Sequence, residues 1–188
     1  MFPIKKQNIK FNDSETGFLE NYDTETEIPL LPHPGAFSKV RKNHQHEGVD
    51  LYCQKGEEIF SIEDGIVVKI KPFTGEHVGS DWWNNTWCVL VEGKTGVFNY
   101  GEIIPNPEIK EGMLIKEGTL IGHVETVLKK DKGRPMNMLH LELYKHGTLD
   151  AINEWSLNES KPENLLDPTE KLIELANLNQ NKKTRKLK

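Results

Sequence analysis

The 188 residues predict an all-β or nearly all-β domain of antiparallel sheets with one short C-terminal helix. Segments Glu58 to Ile62, Gly65 to Ile70, Trp87 to Glu92, Gly96 to Ile103 and Leu139 to Tyr144 are short, rich in β-branched and aromatic residues, and bounded by glycines. Glu92-Gly93-Lys94-Thr95-Gly96 reads as a hairpin connection between two of them. A helix start is visible at Asp167-Pro168-Thr169-Glu170, with Asp as N-cap and Pro at the first helical position.

Residues 1–31 read as an acidic arm, sparse in apolar side chains, with Phe11, Phe18, Leu19 and Tyr22 as anchors of an extended segment. Pro32-His33-Pro34-Gly35 reads as a rigid turn, because flanking prolines fix extended or turn geometry. One domain is expected over 32–168, and a helix with a basic tail over 169–188. Within the domain, the near repeat Ile109-Lys110-Glu111-Gly112 and Ile115-Lys116-Glu117-Gly118, ending at Ile121-Gly122, is too short for a solenoid and marks two glycine turns. The loop Gly79 to Thr86 holds Trp82 and Trp83 among polar residues, either to grip a ligand face or to pack inward. In the helix, Leu172, Ile173, Leu175 and Ala176 supply an apolar face that packs on the sheet. The tail from Asn181, with Lys182, Lys183, Arg185, Lys186 and Lys188, reads as a disordered, solvated end.

Hydrophobic residues make up 36% of the chain, enough for one core, and a net charge of -5 gives no electrostatic footprint for nucleic acid. Lys5 and Lys6 are followed by polar residues, so no signal peptide is visible and the expected location is cytoplasmic. No stretch is long enough to span a bilayer, and no membrane partner is expected. Cys53 and Cys88 lie in strand-like settings and read as buried free thiols. The residues carry no sign of an oligomeric state.

The segments His46-Glu47-Gly48-Val49-Asp50 and Met138-Leu139-His140-Leu141-Glu142 offer two imidazoles and a carboxylate to one divalent metal. Zinc that does chemistry is usually held by three N and O ligands, leaving a fourth position for a water whose pKa falls to about 7. If residues 138–142 form a strand, Met138, His140 and Glu142 line one side, and Glu142 is a candidate acceptor for the free ring nitrogen of His140.

His46 and Asp50, the glycine that follows in Gln54-Lys55-Gly56, and the Asp64-Gly65-Ile66-Val67-Val68 strand resemble the lysostaphin-type (LytM-like) zinc endopeptidases. That family opens on His-x-x-x-Asp, and His140 matches the second histidine of its His-x-His strand. The resemblance covers roughly residues 33 to 168 and implies a barrel-sandwich-hybrid-like fold, zinc as cofactor, and His46, Asp50 and His140 as its ligands. Its usual substrates are peptide crosslinks or stems of peptidoglycan.

The chain departs from the family at both usual catalytic histidines. Where members carry Tyr-Ala-His-Leu, this sequence reads Tyr100-Gly101-Glu102-Ile103, and Met138 stands where His-Leu-His begins. Met138 cannot transfer a proton, whereas Glu102 can serve as general base toward a water at the metal. His44 and Arg134 are auxiliary candidates for oxyanion or carboxylate contact. The expected function is therefore a zinc-dependent metallopeptidase, a hydrolase of peptide bonds such as those of peptidoglycan. The alternative is an inactive zinc-binding recognition module of the same fold.

Overall fold

The computed structural model describes residues 1–151 and 154–186, with side chains through residue 180. Its strands are β1 (Asn8–Asn12), β2 (Glu25–Pro29), β3 (His44–Gln45), β4 (Val49–Tyr52), β5 (Glu58–Phe60), β6 (Gly65–Thr74) and β7 (Thr86–Gly93). There follow β8 (Val97–Pro105), β9 (Leu114–Ile115), β10 (Leu120–Val124), β11 (Met138–Tyr144), β12 (Trp155–Ser156), β13 (Leu165–Leu166) and the helix α1 (Thr169–Lys186). The chain is mostly antiparallel sheet with one C-terminal helix, as its residues predict.

All five segments expected as strands form strands, and the Glu92–Gly96 stretch turns β7 into β8. The main sheet runs β13-β11-β8-β7-β6-β9, with β4 added beside β11 and β10 bridging β5 and β8. Strand alternation divides β11 between two surroundings. Leu139, Leu141 and Leu143 enter the apolar core with Val49, Leu51, Phe98 and Tyr100, while Met138, His140 and Glu142 face the other way. Polar side chains on that second face are nonetheless buried, which sets the conditions for unusual charge states.

Of the expected anchors of the N-terminal arm, Phe18 packs edge-on against His33 and Tyr52 and Tyr22 packs against Tyr52, but the deepest anchors are others. Phe11 is 48% exposed and Phe18, Leu19 and Tyr22 are half-buried, whereas Phe2, Ile4, Ile9 and Ile28 enter the core. β1 and β2 pair in parallel within the arm, and the Ile4–Ile59 bridge, the Phe60 amide on the Pro3 carbonyl and the Thr26 hydroxyl on the Tyr52 carbonyl join the arm to the domain. At the other end Asp167 caps α1 through the Thr169 amide at 2.8 Å, and Leu172, Leu175 and Ala176 pack into the core. The helix runs on to Lys186, into the segment expected as a free end; the side chains of the basic run itself, 181–188, lie outside the described residues. Cys53 and Cys88 are buried and unpaired. Among the described residues no helix is long and apolar enough to cross a membrane.

Candidate metal centre

Three adjacent strands set the centre. On β11, His140 lies opposite Asp50 of β4 on one side and Gly101 of β8 on the other, so all three share a face. His46 comes from the connection into β4 and is held on both sides: its backbone N–H donates to Lys39, its carbonyl accepts from Ser38, and ring Nδ1 lies 2.9 Å from the Ala36 carbonyl. Gly48 makes this approach possible, since a Cβ there would lie 2.6 Å from the Leu141 carbonyl and 3.0 Å from His140 Cε1. Gly101 does the same for Phe73, whose ring packs 5.7 Å from that of His140.

Three atoms converge. His46 Nε2 is 3.0 Å from Asp50 Oδ1, His140 Nδ1 is 2.9 Å from the same oxygen, and the two nitrogens are 3.2 Å apart. Ligand atoms at 2.0–2.1 Å around a tetrahedral metal are separated by about 3.3 Å, so this triangle is close to the size one small dication needs. The opposite nitrogens fix the tautomers. His46 Nδ1–H donates to Ala36 O, and His140 Nε2–H donates to Glu142 Oε1 at 3.1 Å, which aims the other nitrogen of each ring at Asp50. His46, Asp50 and His140 thus form a buried set that can hold a metal ion.

The charges agree with that geometry. Burial would raise the Asp50 pKa, but His46, Arg41 and His140 hold it well below the ordinary carboxylate range. Burial keeps His46 low and neutral. His140 is pushed down by burial but raised well above normal by its bonds to Asp50 and Glu142, so without a metal it holds a proton on Nδ1 as well and donates it to Asp50 Oδ1; a metal at the centre would take that proton's place. Arg41 Nη2 donates to Asp50 Oδ2 at 2.6 Å, leaving Oδ1 for the cluster, and also to the Pro34 carbonyl.

Glu142 is a hub beneath His140. Besides the imidazole it accepts from Asn99 Nδ2 at 2.5 Å and from the Tyr144 hydroxyl at 3.0 Å. Its place, read from strand alternation, is the one the structure gives it.

Glu102 reaches the centre through a defect in the sheet. Trp87 pairs with Ile103 and Val89 with Tyr100, so Gly101 and Glu102 together oppose Cys88 alone, a β-bulge. Regular alternation after Gly101 would send Glu102 to the opposite face. The bulge returns it, with φ at 64°, a conformation that costs a non-glycine residue about 1–3 kcal/mol and persists where the surroundings enforce it. Its Oε2 is buried without a partner, and burial, then the charge of Asp50, push its pKa up to about 8.

A groove of about 730 Å³ opens over Asp50 and Glu102, and His44, Arg134, Met138, Trp82 and Trp83 all line it. His44 is half-buried there; Arg134 and Trp82 are exposed. Neither His44 nor Arg134 bonds the three converging atoms. Sequence reasoning missed Arg41, Phe73 and Asn99, and missed that the turn 34–36 supplies carbonyls to Arg41, Asp50 and His46 in succession. His33 is in that turn, as expected, but fully buried, with Nδ1 accepting from the Gly35 amide.

Residues 44–153, more than half of the chain, match the family described as peptidase family M23. No curated protein matches the chain. Among solved structures, Helicobacter pylori Csd3 aligns at 20% identity and TM-score 0.42, over 84% of this chain and 40% of that one. CbpA from L. salivarius REN aligns at 19% identity and TM-score 0.49, over 76% and 86% of the two chains. Lysostaphin in solution aligns at 18% identity and TM-score 0.45, over 69% and 44%. The chain spans less than half the length of Csd3 and of the lysostaphin it aligns with.

Proposed function

Because the chain belongs to peptidase family M23, we propose that it is a zinc-dependent peptidase in which His46, Asp50 and His140 hold the ion and Glu102 is the general base. The observation that carries this reading is the convergence of three ligand atoms within 3.2 Å, each aimed by a bond on its far side. When bound, zinc supplies a Lewis acid that polarises a carbonyl, lowers the pKa of a water to about 7, and offsets the charge of Asp50.

The protein groups divide the remaining work. Glu102, its Oε2 unpartnered in the groove wall, takes the proton of the attacking water and returns it to the leaving amine. A raised pKa suits that exchange, since the group must be both a competent base and a competent acid near neutrality. His44, half-buried on the same groove, is the candidate donor to the developing oxyanion. Glu142 and Arg41 hold His140 and Asp50 in orientation. Phe73 and Met138 limit water around the cluster.

The substrate class is a peptide, with peptidoglycan stems or crosslinks as the first candidates. The test is amine release from purified peptidoglycan and from a peptide panel by zinc-dialysed protein, with and without a chelator. Chelator-sensitive release that disappears in Glu102→Gln, with zinc content retained, is the expected result. Zinc retained with no release from any substrate would instead identify a zinc-holding recognition module.

A further inference from the structure

The groove beside the centre has a charge opposite to that of the chain. The protein as a whole carries a net charge of -5, yet the groove is lined by Lys39, Arg41, Lys42, Lys132 and Arg134 against two carboxylates, Asp50 and Glu102. Two of those cations are already engaged: Arg41 with Asp50, and Lys39 with Glu15 at 2.9 Å. Lys42, Lys132 and Arg134 are exposed and have no hydrogen-bond or ion-pair partner among the described residues. They come from two separate loops, the turn before β3 and the segment leading into β11, which face the same groove.

Among the described residues, many surface lysines elsewhere are matched. Lys10, Lys55, Lys71, Lys116, Lys129 and Lys145 each pair with a carboxylate. Three unmatched cations gathered at one groove focus a positive field where a ligand enters, and a guanidinium among them can take a carboxylate in a two-pronged bond.

We propose that Lys42, Lys132 and Arg134 receive a free carboxylate of the peptide, so that the preferred substrate is anionic close to the bond presented to His46, Asp50 and His140. The assignment rests on the peptidase reading for the place of the scissile bond, but the binding preference stands apart from turnover. Either a C-terminal carboxylate or an acidic side chain satisfies the chemistry. Trp82 and Trp83, which line the same groove, offer an apolar surface to the rest of the peptide.

The experiment measures equilibrium binding by calorimetry to zinc-dialysed protein carrying Glu102→Gln, so that bound peptide stays intact. Three probes are used: acetylated penta-alanine with a free C-terminal carboxylate, the same peptide as its carboxamide, and the carboxamide with glutamate at its middle position. At least one carboxylated probe is expected to bind about tenfold more tightly than the neutral carboxamide. The advantage should shrink at 500 mM salt, at which the Debye length is roughly halved from its physiological value of about 8 Å. It should also shrink on combining Lys42→Gln, Lys132→Gln and Arg134→Gln, while binding of the neutral probe changes less than about twofold; a collapsed groove would weaken all three probes alike. Which carboxylated probe gains identifies the source of the anion. Equal binding of acid and carboxamide, a preference that survives the triple substitution, or no binding of any probe overturns the proposal. Hydrolysis by unmodified protein is scored separately: preference without hydrolysis sinks the peptidase reading alone, and hydrolysis without preference sinks this inference alone.

Discussion

Replacing Glu142 by glutamine isolates the group that orients His140. The carboxylate accepts three bonds, one from His140 Nε2–H on Oε1 and two on Oε2, from Asn99 and Tyr144. A glutamine keeps the shape but must present an NH2 to one side. Turned toward His140, that NH2 would oppose the ring N–H, drive the proton to Nδ1, and block the nitrogen aimed at Asp50. Turned toward Asn99, it finds an acceptor, because Asn99 Oδ1 is buried and unpartnered and a flip of the Asn99 amide brings that oxygen round. The second arrangement wins, so the tautomer survives and only the charge assistance is lost. Groups that orient metal ligands are typically worth 10–100-fold in affinity, and the lower end applies here: about tenfold, or about 1.4 kcal/mol. Glu142→Ala strands all three donors, and should cost about 100-fold in zinc affinity and about 1–3 kcal/mol or more in folding stability. Competition for zinc against a chromophoric chelator, beside urea melts of the metal-free proteins, measures both. Unchanged zinc affinity in Glu142→Gln together with only a small loss in Glu142→Ala would refute the orienting role.

Three further outcomes follow from the same geometry. Arg41→Ala removes one of the groups holding the Asp50 pKa low; since a depressed carboxylate contributes stability above its ordinary pKa and loses it as pH falls, the acid transition followed by circular dichroism in chelator should begin at higher pH. An unmoved transition would mean the contact is idle. Gly48→Ala should destabilise by about 1–3 kcal/mol in urea melts and weaken zinc uptake, because the added methyl meets the Leu141 carbonyl at 2.6 Å; a silent substitution contradicts the tight approach of the His46 segment to β11. Burial pushes the Cys88 thiol up to about 12 and Cys53 up as well, leaving roughly one Cys88 in ten thousand as thiolate at pH 8. Neither thiol should react with an aromatic disulfide reagent at that pH until the protein is unfolded, and rapid labelling of folded protein would show the burial to be wrong.

The sequence made the ligand set legible because each partner lies in a short local pattern. His46 and Asp50 are four apart, and the alternation of Met138, His140 and Glu142 follows once the segment is read as a strand. Glycine-bounded runs of β-branched and aromatic residues located the strands for the same local reason. What stayed hidden depends on register between distant segments. Nothing around Glu102 announces the bulge, which exists only as a mismatch between β7 and β8. Arg41 is one charged residue in a polar run, and its hold on Asp50 comes from the fold of the 34–38 turn. Phe11 has the size of an anchor and shares the Ile9 face of β1, yet the core covers only Ile9 and leaves Phe11 48% exposed.

The most direct test is zinc stoichiometry by mass spectrometry of protein dialysed first against chelator and then against zinc, with His46→Ala, Asp50→Ala and His140→Ala alongside. One zinc per chain, lost in each substitution while the fold persists by circular dichroism, is the expected result. No bound zinc in the unsubstituted protein, or one zinc retained through all three substitutions, contradicts the assignment of these residues to a metal.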